Sequence, residues 1–237
     1  MKRKILLGLT TTPKSDWRAK VREIDRLELR EIALFPTFLE PEERKELYDL
    51  LKNTKLQKIP HVHLRDDMEE WELEYFSEKY GTSLFNIHAN RAGLEFLRKT
   101  KVKNKVYIEN ILRIDEGFLE GIKLGAGICL DISHWEDLGK IQKNEGYEKL
   151  DGLIKKYKVG CSHISAVAKK ASLFIDPKTK EELWIKCDHF MSDFSQLDYV
   201  KDYVQYLPEY ASIELENSFE EQLKIKEYLE KIINPVG

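Results

Sequence analysis

Apolar positions along the chain gather into short runs rich in β-branched residues: KILLGLT (4–10), EIALFPT (31–37), KIPHVHL (58–64), SLFNIHA (83–89), KVYIEN (105–110), GICLDIS (127–133), KVGCSHIS (158–165) and YASIELE (210–216). Each has the length and composition of a strand. Between them lie segments of helical periodicity, among them DWRAKVREIDRLEL, EPEERKELYDLLKN, DMEEWELEYFSEKY, GYEKLDGLIKKYK, LDYVKDYVQYL and EEQLKIKEYLEKI. Ser15-Asp16 before Trp17 and Glu40-Pro41 read as helix starts. The runs are apolar almost throughout, which predicts strands covered on both faces, as in a parallel sheet under helices. Eight strand–helix repeats predict a single α/β domain over residues 1–237, a (β/α)8 TIM barrel. An open doubly wound sheet is the alternative, but it calls for a Gly-rich phosphate loop after the first strand, and GLTTTPKS has one Gly. One long insertion follows strand seven, where SLFI, DPKTKE and ELWIK predict a small hairpin.

Composition changes this picture little. The 237 residues are 42% hydrophobic and 34% charged with a net charge of -3, so nothing global points to nucleic acid or a membrane. The opening MKRKILLGLTTT imitates a signal peptide, but its apolar run is short and reads as the first strand. No segment nears the ~18 consecutive apolar residues of a membrane span. Cys129, Cys161 and Cys187 are odd in number and lack CxxC spacing, which predicts reduced thiols and a cytoplasmic protein.

The histidines carry more. All six fall at or near strand ends: His61 and His63 in strand three, His88 in strand four, His134 after strand six, His163 in strand seven and His189 beyond it. None is expected in a helix, although helices hold about a third of residues in ordinary proteins. Any one alone reads as a satisfied core histidine, above all His61 beside Pro60. Carboxylates follow the same rule, with Glu109 ending strand five, Asp131 ending strand six, and Glu214 and Glu216 ending strand eight. Acids are poor strand formers and costly to bury. In a barrel the carboxyl ends of all strands meet at one mouth, so Glu109, Asp131, His163 and a strand-eight glutamate converge there. Like charges this close need a cation. Oxygen-rich ligation with one imidazole suits Mn²⁺, Mg²⁺ or Co²⁺, while further histidines favour Zn²⁺ or a multinuclear site.

The series Glu109, Asp131, His163, Glu214, one ligand from each of strands five to eight, resembles the xylose isomerase-like TIM barrels over essentially the whole chain. That group includes sugar isomerases and epimerases, inosose dehydratases and endonuclease IV, the AP endonuclease family 2. The resemblance implies a divalent-metal-dependent sugar or sugar-phosphate isomerase or epimerase. Glu109 and Glu214 would then be the acid/base pair of an enediolate mechanism, and His134 of the DxxH pattern would hold a substrate hydroxyl. Its alternative is an endonuclease IV-like zinc phosphodiesterase acting on abasic-site DNA. For that branch the resemblance implies additional ligands at His63 (or His61), His88, His134, Asp188 and His189, and one to three ions. Asp188 and His189 are adjacent in CDHF, whereas the family pattern has one residue between them. Short loops without a basic cluster favour a small sugar substrate over DNA.

Glu214 and Glu216 share side-chain parity; SIE matches the YIE of strand five, which favours Glu214 and makes Glu216 a loop acid. Weaker candidates are Arg65, Asp66 and Asp67, with the two acids at an expected helix N-cap, and Arg91 at a helix start. Lys169, Lys170 and the hairpin form a candidate lid, and Trp135 and Phe190 candidate stacking platforms that suit core packing equally well.

Overall fold

The computed structural model describes residues 3–234 except 14, 176–179 and 181. Strand one is formed of two segments, Lys4–Leu6 and Gly8–Thr10. The first pairs in parallel with strand eight (Tyr210–Ile213), and the second with strand two (Ala33–Phe35). One strand thus supplies both edges of the sheet, and the sheet closes on itself. Strands three (His61–His63), four (Leu84–His88), five (Val106–Glu109), six (Gly127–Asp131) and seven (Val159–Ile164) complete the circle in chain order, all parallel. The architecture is the expected α/β TIM barrel. Closure needs a close approach at Gly8, where a Cβ would sit 1.9 Å from the Ile213 carbonyl oxygen.

The strands are buried on both faces, but the two faces differ. Alternate residues point opposite ways. Outward Val62, Phe85, Ile87, Ile108, Ile128, Leu130 and Ile213 join the main apolar core under the helices. The inward set is unusually polar, with His61 and His63, Asn86 and His88, Glu109, Cys129 and Asp131, Cys161 and His163, Ser212 and Glu214 among it. A barrel axis is ordinarily filled by branched aliphatic side chains. This one carries, beside the apolar Leu6, Ala33, Phe35, Leu84 and Tyr107, many groups that hydrogen-bond or bind ions.

Helices follow the strands as Trp17–Arg26, Pro41–Lys52, Glu70–Tyr80, Arg91–Lys99, Glu116–Leu124, Leu150–Lys156 and Phe219–Ile233. Asp16 caps the first and Pro41 opens the second, as their sequences predict. Three expectations change. The segment LDYVKDYVQYL forms 3₁₀ turns (Phe194–Asp202 and Val204–Tyr206) rather than an α-helix. Leu197, Val200 and Tyr203 are buried at every third position, the 3₁₀ period, before the chain leaves the turns at the buried Leu207.

Asp66 and Asp67 do not cap the third helix; Glu69 does, in a capping box with Glu72. Asp67 instead pairs with Arg65 and with the buried Arg44. Nor do the histidines all avoid helices. His134 ends a helical turn, Ile132–His134, which Asp131 caps by accepting the His134 amide, and a π-helical stretch, Trp135–Ile141, continues it.

The insertion after strand seven is the predicted hairpin, Ala166–Ile175 against Glu182–Asp188, with Leu173 opposite Trp184. Its DPKTKE turn lies outside the described residues apart from Lys180. The fully buried Asp137 anchors the hairpin, accepting the backbone amides of Lys186 (2.5 Å) and Cys187 (2.9 Å). Among the described residues no helix is long and apolar enough to cross a membrane.

Candidate metal centre

Register explains how residues distant in sequence reach one mouth. Glu109 lies opposite His88 on strand four and Cys129 on strand six, so Asp131 projects one inward step higher, opposite His163. His163 lies opposite Ser212, which places Glu214 one further step up strand eight. The barrel's stagger thereby gathers Glu109, Asp131, His163 and Glu214, which can each bring one ligand atom within 4.8 Å of the others. All four are at most 5% exposed. His163 Nδ1 is 3.1 Å from Glu214 Oε2, 3.4 Å from Glu109 Oε2 and 3.7 Å from Asp131 Oδ2.

A second group shares Glu109. His63, His88 and Glu109 also bring their ligand atoms within 4.8 Å of one another. His63 Nε2 stands 3.0 Å from Glu109 Oε2, His88 Nε2 3.5 Å from Oε1, and the two imidazole nitrogens 3.2 Å apart. Glu109 therefore stands between the two groups.

Other candidates sit at the rim. His134 Nδ1 is 3.5 Å from Asp131 Oδ2 and 3.6 Å from Glu109 Oε1, but it also lies 2.9 Å from the Asn110 carbonyl. His189 Nε2 is 3.8 Å from Glu214 Oε1. Asp188 ends the hairpin, where its carboxylate accepts the Phe190 amide. Glu216 is half-buried, and its amide donates to the His189 carbonyl, while Glu214 is the strand-eight acid beside His163. Arg65 is tied to Asp67, Glu40 and the Thr37 carbonyl, and Arg91 to Glu95. Trp135 packs on Tyr203 and Tyr206, whereas Phe190 is exposed.

The site's electrostatics agree with its crowding. Burial raises the Glu109 pKa, yet the charges of His163 and His88 outweigh it and hold the carboxyl well below its usual range. Burial likewise opposes the ionisation of Glu214, and His163 brings it down to about 2. Burial lowers the His163 pKa, but Glu109 and Glu214 raise it well above that of a free imidazole. Burial lowers the pKa of His63, leaving a neutral ring fit to ligate.

Three buried carboxyl groups gathered around one imidazole make an oxygen-rich cluster that a divalent cation suits. Two buried atoms aimed into this group, Asp131 Oδ2 and His163 Nδ1, have no hydrogen-bond partner. Buried polar atoms are ordinarily paired, so orphans on two members of one acid–imidazole cluster fit a metal site.

Several supporting residues carry little sequence signal of their own. Asn86 donates to Glu109 Oε2 at 2.7 Å and takes part in a 2.9 Å contact with His61, which in turn meets Ser212 at 2.8 Å. His61 is thus a support of Glu109 through Asn86. Asn110 clasps the Asp131 backbone with both ends of its amide, at 2.8 and 2.9 Å. An asparagine inside a predicted buried strand, as in SLFNIHA, is the clue available from sequence.

No family model matches the sequence, and no curated protein matches it. Solved structures do. IolI, determined with a binding zinc atom, matches with a TM-score of 0.50 at 14% identity, covering 96% of this chain and 98% of that one. The chain shares the fold of IolI. A probable 3-DHS dehydratase from Bacillus anthracis, AsbF, matches with a TM-score of 0.48 at 12% identity over 99% of this chain and 100% of its own. A xylose isomerase-like TIM barrel protein from Mycobacterium smegmatis, in complex with magnesium, gives 0.45 at 12% over 97% of each chain. At these identities the likeness is one of fold.

Proposed function

We propose that this xylose isomerase-like barrel is a divalent-metal-dependent hydrolase of a small phosphate ester, with two ions sharing Glu109. The observation that carries this reading is the crowding of Glu109. Oε2 accepts from Asn86 and faces His63 and His163, while Oε1 faces His88 and His134. A general base needs an oxygen free to meet a carbon-bound proton. A carboxylate hemmed in by four imidazoles is suited instead to bridge ions.

Glu109, Asp131, His163 and Glu214 would hold one ion, and His63, His88 and Glu109 the other. Bound there, a pair of ions supplies Lewis-acid polarisation of the ester and an acidified water, the chemistry of two-metal hydrolases. The chain's own groups do the rest. Asn86 holds the Glu109 carboxylate, and Asn110 holds the Asp131 backbone. His134 and His189, with side chains 21% and 41% exposed at the rim, are placed to donate to the ester's anionic oxygens.

A second reading, a sugar isomerase or epimerase with one ion, is favoured by Glu109 and Glu214 flanking His163 within one cluster, as a proton-transfer pair requires. IolI, whose fold the chain shares, holds a zinc atom, which is compatible with either reading.

The test is elemental analysis of protein purified without added metal or chelator, followed by assays. About two equivalents, with release of p-nitrophenol from its phosphate mono- or diester, support the hydrolase. About one exchangeable equivalent, with conversion of ketoses or inososes, selects the isomerase. Full activity in Glu109→Gln and Glu214→Gln, or protein devoid of bound metal, refutes both.

A further inference from the structure

The side of His163 turned away from the carboxylates meets a sulfur. Its Nε2 lies 3.3 Å from Cys129 Sγ, on strand six, and both residues are fully buried. The ring plane is already constrained. Phe35 meets it edge-on with centroids 5.1 Å apart at 82°, and His61 lies 5.2 Å away at a 35° tilt. Such a slot fixes the plane but leaves a half-turn of the ring open. That half-turn would present carbons, in place of Nδ1 and Nε2, to the carboxylates and to the sulfur.

We propose that Cys129 is a positioning residue that acts through His163, its sulfur accepting the Nε2 proton so that Nδ1 is the nitrogen offered to the ion. The proposal rests on His163 being a ligand, as argued above. A ligating histidine ordinarily gives its second N–H to a carboxylate, a carbonyl or water, and losing that partner weakens the site. Here the contact of Nε2 is with the Cys129 sulfur. Cys129 lies opposite Glu109 on one side and Cys161 on the other, so two thiols sit side by side one inward step below Asp131 and His163. A thiol sulfur is a weak acceptor that is cheap to bury, which suits a position sealed from water.

The experiment compares wild type, Cys129→Ala and Cys129→Ser in two readouts. Zinc affinity is measured by competition with a chromophoric chelator. The His163 Nε2–H resonance is read by NMR on histidine-¹⁵N-labelled protein, both metal-free and zinc-loaded, and assigned by its loss in His163→Gln. We expect Cys129→Ala to bind zinc about 10–100-fold more weakly, with the Nε2–H resonance displaced in both states. Cys129→Ser, which keeps an acceptor, should retain most of the affinity.

Melting in chelator separates a general loss of fold, which would lower both variants together, from the specific effect. Wild-type zinc affinity in Cys129→Ala, or an Nε2–H resonance that does not move, overturns the proposal. Absence of zinc uptake by the wild type overturns the metal reading instead, leaving the N–H···S contact to be judged by the resonance in metal-free protein.

Discussion

Lys20 gives the sharpest test of how this barrel is closed. It lies on the first helix, is 4% exposed, and sends its ammonium under the junction of strands one and eight. There Nζ donates to the carbonyls of Gly8 and Leu215, both at 2.9 Å, and sits 5.0 Å from the Phe219 ring centroid. Burial lowers its pKa from 10.5 to about 7, although Glu23, Glu216 and Glu221 raise it. That drop corresponds to about 5 kcal/mol disfavouring the charged form in the folded state, at 1.36 kcal/mol per pK unit.

The folded chain releases this proton near pH 7 and the unfolded chain only near 10.5. The full penalty therefore applies below pH 7. Stability then rises with pH through the interval, because the unfolded state binds more protons there. Lys20→Met removes the charge, and its two lost hydrogen bonds cost about 2 kcal/mol together. The two carbonyls stay satisfied, since Gln222 Nε2 also donates to both.

The variant should therefore be about 3 kcal/mol more stable than wild type at pH 6, with the gap nearly closed by pH 9. Urea titrations of both proteins from pH 6 to 9, with m-values compared, measure the difference curve. A gap constant across that range, or a variant less stable at pH 6, would refute the argument.

Two further outcomes follow from buried charges elsewhere. Arg44, 1% exposed, grips both oxygens of Glu72 at 2.9 Å, and Tyr48 donates to the same carboxylate at 2.5 Å. Arg44→Met or Glu72→Leu alone should cost about 3–5 kcal/mol by stranding a buried charge, while the double variant should cost far less than the sum. Additive thermal-denaturation values would contradict that coupling. Asp137→Ala should release the hairpin at its root, speeding hydrogen exchange of the Lys186 and Cys187 amides about tenfold or more. Unchanged protection of those amides would show that strand pairing alone holds the hairpin.

The alternation of apolar runs with helical periodicity is a local property, and it sufficed for a parallel α/β barrel because few architectures bury such strands on both faces. Residue type at strand ends likewise brought Glu109, Asp131, His163 and Glu214 into view as one group, since acids and histidines seldom end buried strands without a purpose. What the chain could not show locally was the stagger between strands. The family resemblance named His63 and His88 as additional ligands, but periodicity and residue type do not tell that they converge on the same carboxylate as His163, because that depends on how far each strand has climbed around the barrel.

The supporting layer was equally hidden. Asn86, Ser212 and Cys129 acquire meaning only from the atom each one touches across the axis. The 3₁₀ segment and the displaced N-cap share this cause. Local propensities there are weak, amounting to tenths of a kcal/mol per residue, and packing against the core or a buried arginine outweighs them. Periodicity and residue type thus determined which elements form and which chemistry gathers at their ends. Only tertiary closure decided which atoms share an ion, because distance across a barrel is set by register and shear.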